Sequence, residues 1–151
     1  MLGGKSLTAL VTGAALWVAC ALSVFAEPLP RETLEPYIVP PMSLGEMLNG
    51  QGVWQLLNSG GAEAGYVFET EPMAPLPGFS GAPINMLVIL DLDGRFLDVK
   101  LISHNEPIIV SGLGEAPFFK FFEQYRGHSI SDSLVVGSPY GGGGEGSALV
   151  Y

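Results

Sequence analysis

INMLVILDLDGRFLDVKLI, residues 84–102, is the stretch on which the architecture turns. Ile84 to Leu90 is nearly continuously apolar, which predicts a central strand covered on both faces. Phe96 to Ile102 alternates apolar with polar, and Asp93-Gly94 between the two runs has the chemistry of a tight hairpin turn. The second strand should turn Asp98 and Lys100 to water while Leu97, Val99 and Leu101 face inward, or lie one register away.

Working outward, Val53–Leu57 and Ala64–Glu69 read as a second hairpin around Asn58-Ser59-Gly60-Gly61. Between the hairpins, Glu71 to Pro83 carries Pro72, Pro75, Pro77, Gly78, Gly81 and Pro83, which predicts a loop. Downstream, Ser103–Gly114 reads as another loop. Glu115–Arg126 (EAPFFKFFEQYR) then brings Phe118, Phe119, Phe122 and Tyr125 within helical reach, with Gly127 as C-terminal cap, so this helix should lay aromatics on the sheet. Leu134–Gly137 reads as a short strand, Pro139–Gly146 as a flexible polar segment and Ala148–Tyr151 as a strand without an end signal. The last feature predicts a domain whose C-terminal part is incomplete within 43–151. Upstream, Ser43-Leu44-Gly45-Glu46 has the pattern of a capping box opening a short helix to about Leu48. Residues 27–42 hold five prolines and read as an extended lead-in, not a packed element. The class expected is α+β: a small, mostly antiparallel sheet of hairpins with one or two packed helices.

Composition bounds the function. A chain of 151 residues with 21 Gly and 12 Pro suits one small, turn-rich domain. Fifteen acidic residues against six Lys and Arg, a net charge of −9, leave no basic cluster to grip a phosphate backbone, so nucleic acid is a poor partner. Residues 1–26 have the layout of a signal peptide: Lys5, an uncharged apolar run from Leu7, then Val24 and Ala26 before Glu27. Cleavage after Ala26 and export to the periplasm are expected. The uncharged run is long enough to cross a bilayer, so an uncleaved anchor is the alternative. Trp17 argues against lipidation of Cys20, and beyond that residue the chain has no cysteine, which excludes disulfides, thiolate metal sites and cysteine-bound iron–sulfur clusters from the exported segment.

Few residues could carry chemistry. His104, in Ser103-His104-Asn105-Glu106-Pro107, follows a strand, where a rigid element positions loop residues; the same spacing also suits a plain surface turn. Ser80 and Ser111 have glycine neighbours but form no G-x-S-x-G motif, and His104, Glu106 and His128 lie in no zinc-like spacing. Asp91-Leu92-Asp93-Gly94 lacks the other ligands of a calcium loop. Gly112-Leu113-Gly114 and Gly141–Gly144 could let backbone amides approach a phosphate, yet match neither a P-loop nor a dinucleotide fingerprint.

Five segments, in order and spacing, resemble the N-terminal FMN-binding region of the NosR/NirI family of membrane-bound regulatory flavoproteins. They are Gly65–Thr70, Gly78–Asn85, the hairpin Leu87–Val99, Ser103–Ile108 and Phe121–Gly127. The likeness covers roughly residues 50 to 137. It implies an exported flavin domain, followed in full-length members by transmembrane helices and a cytoplasmic ferredoxin-like segment, in proteins that support nitrous oxide reduction or other periplasmic redox enzymes. The domain is also similar to flavin-bearing subunits of Rnf and sodium-pumping quinone reductase complexes, whose Glu-Thr-Pro-Gly-Leu-Gly loop lies near the flavin. Glu106-Pro107 and Gly112-Leu113-Gly114 resemble its halves with an insertion between them. By this resemblance His104, Glu106, Pro107, Gly112, Leu113 and Gly114, with Phe79, Ser80 and Gly81, would surround FMN, and the partners would be a periplasmic redox protein or the membrane and ferredoxin parts of a longer homologue. Membrane contact would come through an uncleaved N-terminus or a further C-terminal region.

One departure stands out. The family tethers FMN by a phosphoester to the last Thr of a Ser/Thr-Gly-Ala-Thr motif, which this sequence lacks; Ser80-Gly81-Ala82-Pro83 has proline in place of the acceptor. The alternative is therefore an exported interaction module without redox function, with Phe79 and Tyr140 as contact surface. Phe79 reads equally as an anchor packed on the core or as a ligand-facing ring.

Overall fold

The computed structural model describes residues 26–107, 109–133, 135–136 and 148–149. Five strands, β1 (Ser43–Met47), β2 (Trp54–Leu57), β3 (Glu63–Glu69), β4 (Asn85–Asp91) and β5 (Phe96–Ser103), pair in sequence order as an antiparallel meander. With three short helices, α1 (Arg31–Leu34), α2 (Thr70–Met73) and α3 (Ala116–Glu123), this is the α+β class expected. Val135–Val136 (β6) pairs in parallel with Ala148–Leu149 (β7). The segment Pro139–Gly146 and nearly all of the signal segment lie outside the described residues.

The hairpins form as the sequence predicts. At the β4–β5 turn the Asp91 carboxylate accepts the Asp93 and Arg95 amides at 2.9 and 2.8 Å, and Gly94 takes φ 74°. β4 is paired on both sides, and Leu87, Val88, Ile89 and Leu90 are all buried, so it is covered on both faces. Within β5 the alternation is broken. An extra residue falls between the Leu90–Phe96 and Ile89–Asp98 pairs, and the resulting bulge turns Leu97 outward while Val99 stays buried. Asp98 and Lys100 are half-buried, not simply turned to water, and pair with each other at 2.8 Å.

Two expectations fail upstream. Ser43–Met47 is an edge strand and not a capped helix: Leu44 pairs with Leu56 and enters the core, and Gly45 lets Gln55 pack close, where a Cβ would lie 2.8 Å from that of Gln55. A single helical turn would forgo that ladder, so tertiary pairing overrides the local signal. The proline-rich stretch is also packed. It folds into α1 and a 3₁₀ turn at Glu35–Tyr37, and Leu34 and Ile38 join Trp54, Leu56, Val67, Leu87 and Ile89 in the main core cluster. Arg31 fastens it by donating to the Leu44 and Gly45 carbonyls, with its guanidinium 5.1 Å from the centre of the Trp54 ring. Proline sets φ here without preventing burial of the apolar residues between.

The core therefore has two layers on the sheet. Alternation from the registers Trp54–Val67, Val67–Ile89 and Glu69–Leu87 defines the face covered by the lead-in. Phe68, Val88 and Val99, paired in line, mark the other face, which meets α3. Phe122 is buried and Phe121 and Tyr125 line the gap to the sheet, whereas Phe119, expected to pack, is 48% exposed. The helix is rotated so that 118, 121, 122 and 125 form the inward stripe. Beyond Gln124, Gly127 takes φ 82° and ends the segment as foreseen.

Candidate functional site

The meander sets the C-terminal ends of β3 and β5 beside the N-terminal end of β4, with the Asp91–Gly94 turn at the far end of the sheet. Two glycine-bearing connections leave from that end, residues 74–84 and 104–115. The first begins with the single turn α2, where only a loop was expected, because the Thr70 hydroxyl donates to the Ile84 carbonyl at 3.2 Å and accepts the Met86 amide at 3.0 Å, folding the chain back on itself. Its tip is a tight turn: Gly78 N–H donates to the Ala82 carbonyl at 2.8 Å, Gly81 N–H to that of Gly78 at 3.1 Å, and Gly81 has φ 83°.

Glu106 joins the two connections. Its buried Oε1 accepts both the amide and the hydroxyl of Ser80 at 3.3 Å, and a Cβ on Gly78 would run into the same oxygen. Its own amide donates to His104 Nδ1 at 3.2 Å, which places the ring proton on Nε2, 3.7 Å from Glu115 Oε1. The imidazole lies over Phe118 with ring centres 6.1 Å apart, and its side chain is 10% exposed, so this is no surface turn. The Glu106 carbonyl accepts the Ile109 and Val110 amides at 3.2 Å, with Pro107 at the first position of the helical turn that runs through Ile109–Leu113 inside the expected loop. Gly112 breaks that turn at φ 153° and Gly114 follows at φ 65°.

His104, Glu106, Pro107, Gly112, Leu113, Gly114, Ser80 and Gly81 thus belong to one end of the molecule, on two connections locked by one carboxylate. Phe79, at 88% exposure, projects from that end and anchors nothing in the core. Two cavities lie alongside on the α3 face. One of about 340 Å³ is lined by Thr70, Leu76, Pro77, Gly78, Ile84 and Met86. The other, of about 290 Å³, is lined by Met86, Val88, Val99, Phe121, Phe122 and Tyr125 among others. On the opposite face a wider cleft of about 440 Å³ exposes Glu27, Thr33, Tyr37, Glu71 and Ser103 around the rim of Glu69.

Sequence reasoning assigned no role to Glu69, Thr70 or Asn85. The Glu69 carboxylate is 1% exposed and accepts Asn85 Nδ2 at 2.7 Å and the Leu29 amide at 2.8 Å, tying the lead-in to the strand ends. Asn85 Oδ1 in turn accepts the Glu71 amide at 3.2 Å. The available signal was a polar residue at the end of each of two apolar strands, where a buried polar group must find its partner across the sheet. Elsewhere, burial pushes the Asp98 carboxyl up, but Lys100 and Arg126, with the Val99 amide, outweigh it and hold Asp98 below the ordinary 3.8. Asp132 is lowered chiefly by the Ser129 amide.

Among the described residues no group of three or more His, Cys, Asp and Glu could hold a metal ion, and no helix is long and apolar enough to cross a membrane. The arrangement fits a flat, partly apolar organic group better. Open space lies beside the backbone of Gly81, Gly112 and Gly114, where an added Cβ would meet nothing within 4 Å. The neighbouring cavity falls within the range of small-molecule sites, which begins at roughly 300 Å³. FMN fits such a site without a tether; no covalent attachment can be assigned, because the acceptor motif is absent.

A small α+β domain with two locked glycine loops at one sheet end has counterparts among known proteins. "Regulatory protein NosR" of Stutzerimonas stutzeri is 33% identical over 81 residues, 54% of this chain and 11% of the relative. "Regulatory protein NosR" of Pseudomonas aeruginosa is 36% identical over the same length and shares, and "Protein NirI" of Paracoccus denitrificans is 28% identical over 89 residues, 59% of this chain and 12% of the relative. These similarities support membership of the chain in the NosR/NirI family. The matched part spans about a ninth of the relatives' length. No protein-family profile and no solved structure matches.

Proposed function

We propose that this chain is a periplasmic FMN-binding module, with an electron-transfer or regulatory role, of a NosR/NirI-like system that supports nitrous oxide reduction or a related redox process. The observation that carries the reading is the Glu106 lock, which holds the Ser80 turn and the Gly112–Gly114 segment together beside an apolar cavity. Bound FMN would supply the one- and two-electron chemistry. The chain's own part is to orient and shield. Glu106 is fully engaged by Ser80 on one oxygen and serves as brace, His104 holds the Glu106 backbone, and the Gly112 and Gly114 amides stand where an anionic or carbonyl-bearing edge could be met. Electrons would pass to a periplasmic redox protein or to the membrane and ferredoxin parts of a longer relative.

The test is fluorescence titration of the full chain with FMN, with circular dichroism as a check of folding. Saturable quenching, weakened by Glu106→Ala, is expected. A second reading has its own observation: Leu76, Phe79 and Val110 are 76%, 88% and 75% exposed around this end, an apolar rim suited to a protein contact without redox function. A folded chain that quenches no FMN would contradict the first reading and favour the second.

A further inference from the structure

We infer that the aromatic cavity beneath α3 is the seat of the dimethylbenzene edge of the flavin ring, so that Val88, Val99, Phe121, Phe122 and Tyr125 are ring-binding residues that neither the sequence motifs nor the comparisons assign. The inference rests on the FMN reading above and adds an orientation to it. The two cavities on the α3 face share Thr70 and Met86 as a common wall. Both residues lie on one face of the sheet, two steps from Phe68 and Val88, so the cavities form one trough running from the Gly78 turn to α3. Neither half alone is much larger than the smallest ligand sites, at about 340 and 290 Å³.

Polarity decides which end of the ring goes where. The half under α3 presents aromatic and aliphatic side chains, and its one aliphatic hydroxyl, Thr70 Oγ1, already bonds the Ile84 carbonyl and the Met86 amide. A hydrogen-bonding ring edge placed there would be stripped of water without replacement partners. An isoalloxazine has one such edge, the pyrimidine, and one hydrocarbon edge bearing two methyl groups. The hydrocarbon edge therefore goes under α3, against rings that favour edge and offset contacts. The pyrimidine edge faces the Gly78–Ala82 turn and the connection braced by Glu106.

The experiment uses 8-chloro-FMN, whose chlorine sits on the benzenoid edge and is displaced by thiophenolate, the thiolate sulfur forming the new bond as chloride leaves. Bound to the full chain, the analogue is expected to react at least about tenfold more slowly than free in solution. In parallel, Val99→Phe, which fills the cavity, is expected to weaken FMN binding by about tenfold with an unchanged circular dichroism spectrum. Bound analogue that reacts at the free rate overturns the orientation while leaving the FMN reading intact. So does a folded Val99→Phe chain of unaltered affinity. If Val99→Phe does not fold, the chlorine displacement alone decides, and failure of both FMN and its analogue to bind overturns the orientation together with the reading beneath it.

Discussion

Glu106 shows how much one carboxylate decides. Removing it in Glu106→Ala leaves the Ser80 amide and hydroxyl without their acceptor, and a loss of about 1–3 kcal/mol in chemical denaturation is expected, with Glu106→Gln closer to wild type because its amide oxygen can still accept. Asn85→Ala should cost a similar amount, since it strips the 1%-exposed Glu69 of its strongest donor. Asp98 gives a pH signature. Its folded value lies below its unfolded one, so its contribution is complete above the ordinary carboxylate value of 3.8 and is lost as pH falls through the lower folded value. The pair with Lys100 is partly solvated, so the stability gap between wild type and Asp98→Asn should be under about 1 kcal/mol at pH 7 and vanish on acidification, as pH-dependent melting would show.

At the scale of elements, what was legible followed from period and turn chemistry. The hairpins over Val53–Glu69 and Ile84–Ile102 could be read because their apolar runs are bounded by Asn-Gly-type turns, and α3 because its aromatics recur at helical spacing. What was not legible depended on distant partners. Nothing local in Ser43-Leu44-Gly45-Glu46 reveals that β2 has an open edge to be covered, and nothing in a run of prolines reveals that Leu34 will be the plug of one sheet face. Likewise the Glu106 lock could not be seen, since Ser80 and Glu106 stand 26 residues apart in sequence. Leu34→Ala should test the plug directly: burial at 0% exposure predicts a loss of about 2–5 kcal/mol, an effect too large for an unpacked lead-in. The phase of α3 can be checked by comparing Phe122→Ala, expected to cost about 3–5 kcal/mol, with Phe119→Ala, whose half-exposed ring should cost far less.

For the whole molecule, the sheet acts as a plate with one end for turns and the other for function. The lead-in and α3 cover its two faces, and the residues that the family resemblance singles out gather where three strand ends meet. Acidic charge and the missing acceptor motif shape the expectation for a cofactor: held by shape and backbone contacts, and released more readily than a tethered one. The most direct test of that claim is an amide-resolved NMR titration of the full chain with FMN. The resonances of Gly78, Ser80, Gly81, Met86, Gly112 and Gly114 should move together and saturate, while Asp93 and Gly94 at the far end of the sheet stay fixed. Saturating FMN that leaves those six amides unmoved, or that perturbs only the Asp91–Gly94 turn, would contradict the account.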